Sequence, residues 1–204
     1  MRISTLSLTL SALLALAMTA PARAQNPTPP PLPPAPQVTT PAPDPRDVAS
    51  IDAIIAALYD VISGPAGQAR DWNRFHSLFH PSARLMPTGR APDGSTRIGV
   101  VDPAGYVQRS RAVLEGQGFF EREVWRRVER YGAVAHVWST YESLRTASDP
   151  APFMRGINTI QLFWDGSRWW VLSIAWSAET PDNPLPACYL PGAAAAPGAD
   201  CPTS

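Results

Sequence analysis

The sequence predicts an α+β domain in which a curved antiparallel sheet is covered on one face by three helices. Three observations carry that expectation. Three segments place apolar residues at helical spacing, each opened by an aspartate in capping position. The C-terminal half holds long runs rich in Val, Ile, Thr, Trp and Tyr. Two tight-turn signals, Tyr131-Gly132 and Asp165-Gly166, join those runs as hairpins.

The first helix is expected from Asp44-Pro45, with Asp as cap, Pro at the first helical position and Asp47 in the first turn. Its inward stripe is Ile51, Ile54, Ile55, Leu58, Tyr59 and Ile62, and Ser63-Gly64-Pro65 stops it. Asp71 caps a second, shorter helix with Trp72, Phe75, His76 and Phe79 on one face, ended by Pro81. A short strand follows at 83–86, then a Gly- and Pro-containing loop at 87–96 and a short strand at 97–101. Asp102-Pro103 repeats the capping signal for a third helix that runs to Gly116. Residues 119–130 have the charge of a helix but are read as a strand, because Tyr131-Gly132 then closes a hairpin onto Val134. Strands at 134–144, 153–164 and 168–177 complete a four-stranded meander. Such a sheet must bury one face under the helices, so it curls, and the tapered interior is where a small molecule lodges.

The two ends lie outside this domain. Arg2, the apolar stretch Ile3 to Met18 and Ala22-Arg23-Ala24 predict a signal peptide over 1–24, with a mature start at Gln25 and a periplasmic or secreted protein. The apolar stretch is shorter than a bilayer span, so no stable membrane anchor is expected after processing. Residues 25–45 form a proline-rich spacer, with ten prolines between 27 and 45, a composition that favours extended polyproline II. The domain is expected over 46–179 and a flexible tail over 180–204. That tail holds both cysteines, Cys188 and Cys201, which in an oxidising compartment are most simply paired. Removing Arg2 and Arg23 with the leader leaves 15 basic against 17 acidic residues, which recommends no nucleic-acid partner. There is no lysine anywhere, which excludes a Schiff base and a phosphate-loop lysine.

Three segments resemble a known family. Trp72 to Ala83, with its Leu78-Phe79-His80-Pro81 core, is similar to the helix-to-strand junction of SnoaL-like and nuclear transport factor 2-like domains. Gly132 to Trp138 resembles their fourth strand, and Asp165-Gly166-Ser167-Arg168-Trp169-Trp170-Val171 their closing strand. The resemblance spans about residues 48–178. It implies a nuclear transport factor 2-like cone, a pocket at its wide end and, in many members, a homodimer through the sheet. Members include isomerases, dehydratases, epoxide hydrolases, cyclases and binders without chemistry. The chain departs from the isomerase pattern, since Met86 and not Asp precedes Pro87. It departs from the epoxide hydrolase pattern too, since its long strands hold no Asp apart from Asp165 in a turn.

Candidate residues follow from these placements. His76 on the second helix and His136 on a strand are the titratable imidazoles that suit general acid–base work, with a core histidine as the plainer role for His76. Tyr141 or Tyr59 can polarise a carbonyl. Trp72, Trp125, Trp138 and Trp176 form either an aromatic lining for an apolar ligand or an aromatic core. Asn158 offers an amide contact, and Arg155 a clamp at the mouth or a solvated rim charge. The Arg and Glu residues of 121–130, Glu121 among them, read as a solvated or dimer-facing surface. The histidines lack ligand spacing, so no metal is expected, and no cofactor either. Three functions remain open: an exported domain that binds a small apolar molecule, a cofactor-free isomerase, dehydratase or cyclase with a histidine base, and an interaction module.

Overall fold

The computed structural model describes residues 40–192. The leader, residues 25–39 of the spacer and Cys201 lie outside them.

The first predicted helix is two helices. Asp44 caps α1 (Pro45–Val48), its carboxylate accepting from the Arg46 N–H, but Ser50 is extended and its hydroxyl accepts from the Ala53 N–H at 3.0 Å. A second cap therefore restarts the chain as α2 (Ile51–Ile62). Asp71 caps α3 (Trp72–Leu78) as expected. Phe79 does not belong to that helix, because its backbone is extended and opens β1 (Phe79–Arg90), far longer than the short strand expected there. Two prolines hide this strand in the sequence. Pro81 falls where the register shifts between Phe79 and Arg84, and such irregularities tolerate a missing N–H. The next strand, β2 (Thr96–Ile98), is shorter than predicted, and Val101 only bridges back to Leu85. Asp102 caps α4 (Pro103–Gln117), accepting from the Gly105 N–H at 2.7 Å.

The segment 119–130 is a strand. β3 (Phe120–Tyr131), β4 (Val134–Leu144), β5 (Met154–Trp164) and β6 (Trp169–Ala178) form the predicted antiparallel meander. β1 joins it in parallel beside β6, giving one six-stranded sheet in the order β2-β1-β6-β5-β4-β3. Ile54, Ile55 and Leu58 of α2 and Phe75 and Leu78 of α3 pack with Val137, Ile160, Leu162 and Val171 of the sheet in one buried core.

Register decides which side chains meet that core. On β4, Val137, Ser139, Tyr141 and Ser143 are buried beneath the helices, which leaves His136, Trp138, Thr140 and Glu142 on the opposite face. Glu121 pairs with Ser143 and Glu123 with Tyr141, so both acids share the inner face. A bulge between Glu123 and Trp125 then flips the alternation and sends Trp125 outward opposite Thr140. The described part of the tail is not free of the domain. Tyr189 stacks on Trp138 with centroids 5.4 Å apart, meets the edge of Trp125, and accepts a hydrogen bond from the Thr140 hydroxyl through its carbonyl.

One cation holds the helical layer together. Arg70 is only 6% exposed and has no carboxylate on its guanidinium. Instead it donates to the carbonyls of Ile62, Gly64, Pro65, Gln68 and Leu114, at 2.5–3.4 Å. A Cβ at Gly64 would lie 2.6 Å from its Nη1, so only glycine lets the two approach. Arg70→Leu is expected to lower the unfolding free energy by about 3 kcal/mol, because two buried and three partly buried carbonyls lose this donor together. Gly64→Ala should reproduce part of that loss by pushing the guanidinium aside. Urea denaturation measures both, and a loss below about 1 kcal/mol for Arg70→Leu would exclude the role assigned to it.

Candidate functional site

Between the helices and the inner sheet face lies a cavity of about 320 Å³. That is the lower end of the range for small-molecule sites. Its walls are mainly apolar, with Leu58 and Ile62 from α2, Phe75 from α3, and Ile160, Ile174 and Trp176 from the sheet. Polar groups intrude at six points: Tyr59, Tyr106, Ser110, Glu121, Tyr141 and Asn158. Arg109 and Val113 of α4, both exposed, also line it and mark where it opens.

A hydrogen-bonded chain runs from this wall to the surface. Arg126 donates to Glu123 through Nε at 2.7 Å and to the exposed Asp52 through Nη1 at 2.6 Å. Glu123 accepts from the Ser139 hydroxyl at 2.5 Å, which leaves the Ser139 oxygen to accept from the Tyr59 hydroxyl at 2.6 Å. Tyr59 in turn accepts from the Asn158 amide at 3.1 Å. With the Glu123–Arg126 ion pair fixing one end, every hydroxyl in the chain points one way, and the Asn158 amide that ends it also bonds the Glu121 carboxyl.

Glu121 is the unusual group. Burial raises its carboxyl to about 7, while the Ser143 hydroxyl, 3.0 Å away, and the Asn158 amide pull it partly back down. It lines the apolar cavity and also a cleft between α2 and β3, where its neighbours are Asp60, Ser63, Glu123 and Arg126. Tyr59 belongs to both walls as well. Tyr141 is the other exception. Its hydroxyl is buried and has no hydrogen-bond partner, alone in this among the described residues. Desolvation and the neighbouring Glu121 push its ionisation upward, so it stays a neutral donor. The ring lies across β5 at Gly156, where any Cβ would collide with the phenol.

Of the residues singled out from sequence, the structure brings Tyr59, Tyr141, Asn158 and Trp176 together at this cavity. It does not bring His76 or His136 there. His76 packs its ring against the edge of Phe75, away from the lining, and burial lowers its pKa. His136 is on the outer sheet face, bonded to Gln161 and edge-on to Trp138, so no dyad spans the cone. Trp72 is buried with its indole N–H donating to Glu115 at 2.8 Å, and Trp125 and Trp138 face outward under Tyr189. Arg155 pairs with Glu179 at 2.8 Å. The charged lining residues that the sequence did not single out are Glu121 and Arg109. For Glu121 its flanks, Phe119 and Phe120, were the available signal, outweighed by the run of charges that follows.

The raised carboxyl carries a pH dependence of known sign. Between its ordinary value of 4.5 and about 7 the unfolded chain releases a proton that the folded chain keeps. Stability from this group is therefore complete below 4.5, falls as pH rises through about 7, and is constant above that. Glu121→Gln should unfold like the parent at pH 4 and be more stable at pH 8, by about 3 kcal/mol at most. Equal denaturation midpoints for the two proteins at pH 8 would contradict the assignment.

No protein-family model matches the sequence, and no curated protein matches it. Solved structures do. A protein of unknown function from Nostoc punctiforme PCC 73102, described as having a cystatin-like fold, aligns over 65% of this chain and 91% of its own, at 11% identity and a TM-score of 0.50. An NTF-2-like protein of unknown function from Silicibacter pomeroyi DSS-3 aligns over 64% of this chain and 94% of its own, at 15% identity and a TM-score of 0.42. Identities this low speak to shape alone. With one curved six-stranded sheet closed on a single face by helices, the described domain has the α+β architecture expected from the sequence and shares its fold with the Nostoc protein.

Proposed function

We propose that this is an exported domain that binds a small, largely apolar molecule in the cavity, with an accepting oxygen of that molecule on the Tyr141 hydroxyl. The observation that carries the reading is the unpartnered phenol. A buried donor without an acceptor costs about 1–3 kcal/mol. Tyr141 bears that cost in a side chain that lines the hollow, its hydroxyl packed against Gly156 of β5. The remaining lining is aliphatic and aromatic, which suits an apolar body around a single polar atom. The leader read at 1–24 supports export.

A second reading rests on Glu121. A carboxyl near 7 in an apolar wall is matched to proton transfer at neutral pH. If the bound oxygen is a ketone, the Glu121 carboxylate takes a proton from the adjacent carbon. The electron pair of that C–H bond moves onto the oxygen, where the Tyr141 hydroxyl stabilises the enolate. This gives a cofactor-free isomerase or dehydratase type of chemistry with a glutamate as base.

Acetophenone and ethylbenzene differ by the oxygen that matters, and calorimetric titration of both tests the binding reading. The parent is expected to prefer the ketone by about tenfold. Tyr141→Phe should abolish the preference while gaining about 1 kcal/mol of stability from loss of the orphan hydroxyl. A preference that survives in Tyr141→Phe sinks the reading. Exchange of the acetophenone methyl protons in D₂O, followed by NMR, tests the second: the parent should accelerate it and Glu121→Gln should not.

A further inference from the structure

The described residues contain fifteen arginines, and fourteen of them are engaged. Carboxylates hold Arg46, Arg74, Arg97, Arg111, Arg122, Arg126, Arg127 and Arg155. Carbonyls hold Arg70, Arg84, Arg90, Arg130 and Arg168, and Arg145 lies over the ring of Phe153. Arg109 alone among the described residues has neither acid, carbonyl nor ring. It is also the one cationic side chain that lines the cavity.

Its place on α4 explains why. Tyr106, Arg109, Ser110 and Val113 recur at helical spacing along the stripe of α4 that borders the hollow. Tyr106 is turned into the core, stacking on Phe75 with centroids 5.5 Å apart, while Val113 is 49% exposed. The stripe thus passes from the apolar interior to solvent, and Arg109 is at the solvent side of it. Glu121, the one acid in the same lining, is not within ion-pair distance, and burial disfavours its charge.

We infer that the cavity takes an amphipathic monocarboxylic acid, its apolar body inside and its carboxylate held at the mouth by Arg109. This rests on the cavity being a ligand site and adds the class of ligand. A planar guanidinium with all five donors uncommitted matches a carboxylate in two parallel hydrogen bonds. A single cation suits a single negative charge. The nearest basic neighbour in sequence, Arg111, is occupied by Glu115 and the face of Trp72, so a phosphate dianion finds no second partner there.

The test compares 4-phenylbutyrate with 4-phenylbutanamide, which share shape and differ in charge, by calorimetric titration of the mature chain at low ionic strength. The acid is expected to bind about fivefold tighter, the scale of one exposed ion pair. Arg109→Gln should remove that preference and leave the amide unchanged, whereas Arg90→Gln, an exposed arginine bonded to the Gly94 carbonyl, should keep it. Equal affinities of acid and amide in the parent, or a preference that persists in Arg109→Gln, overturn the inference and leave the cavity reading standing. If neither compound binds, both fall.

Discussion

The buried guanidinium of Arg70 is the joint on which the helical layer depends. It gathers the carbonyls that end α2, those of the loop beyond it, and one from the last turns of α4, so three separate pieces of backbone are held by one planar group. No salt bridge does this. An ion pair would satisfy the arginine but take this donor from the buried carbonyls of Gly64 and Leu114, which is the more expensive omission. The same loop is stitched to the sheet, because Gly64 and Phe119 exchange both backbone hydrogen bonds just ahead of β3. The helices that roof the cavity and the strand that carries Glu121 are thereby referenced to one point.

That anchoring lets the interior tolerate two opposite kinds of polar group. The chain from Arg126 through Glu123, Ser139 and Tyr59 to Asn158 is satisfied at every link and ends on an ion pair. Such a network is rigid because each member has its partner. Beside it, the Tyr141 hydroxyl has none. In a wall so thoroughly paired, the Tyr141 hydroxyl is the one buried polar side-chain atom among the described residues that is left without a partner.

The sequence spoke clearly where a local rule had no competitor. Asp44, Asp71 and Asp102 announced their helices, and the two Gly-containing turns set the meander, because caps and tight turns need particular side chains wherever they occur. It was silent where tertiary contacts decide. The break at Ser50 is a cap inside an unbroken apolar pattern, and β1 runs through Pro81 and Pro87 only because β6 supplies a parallel partner with a shifted register. Tyr59, Tyr141, Asn158 and Trp176 could be named from type and position alone. The inward turn of Glu121 could not be, since strand parity says which residues share a face and never which face is covered. The same gap left the face of His136 open, and the structure puts it outward, while His76, read from helical spacing, packs on Phe75 in the plainer role.

Glu121 and Tyr59 form a partition between two hollows, the second of them rimmed by charged side chains. A guest that fills the apolar side leaves the other side of this partition in contact with the ionic cleft of Asp60, Glu123 and Arg126.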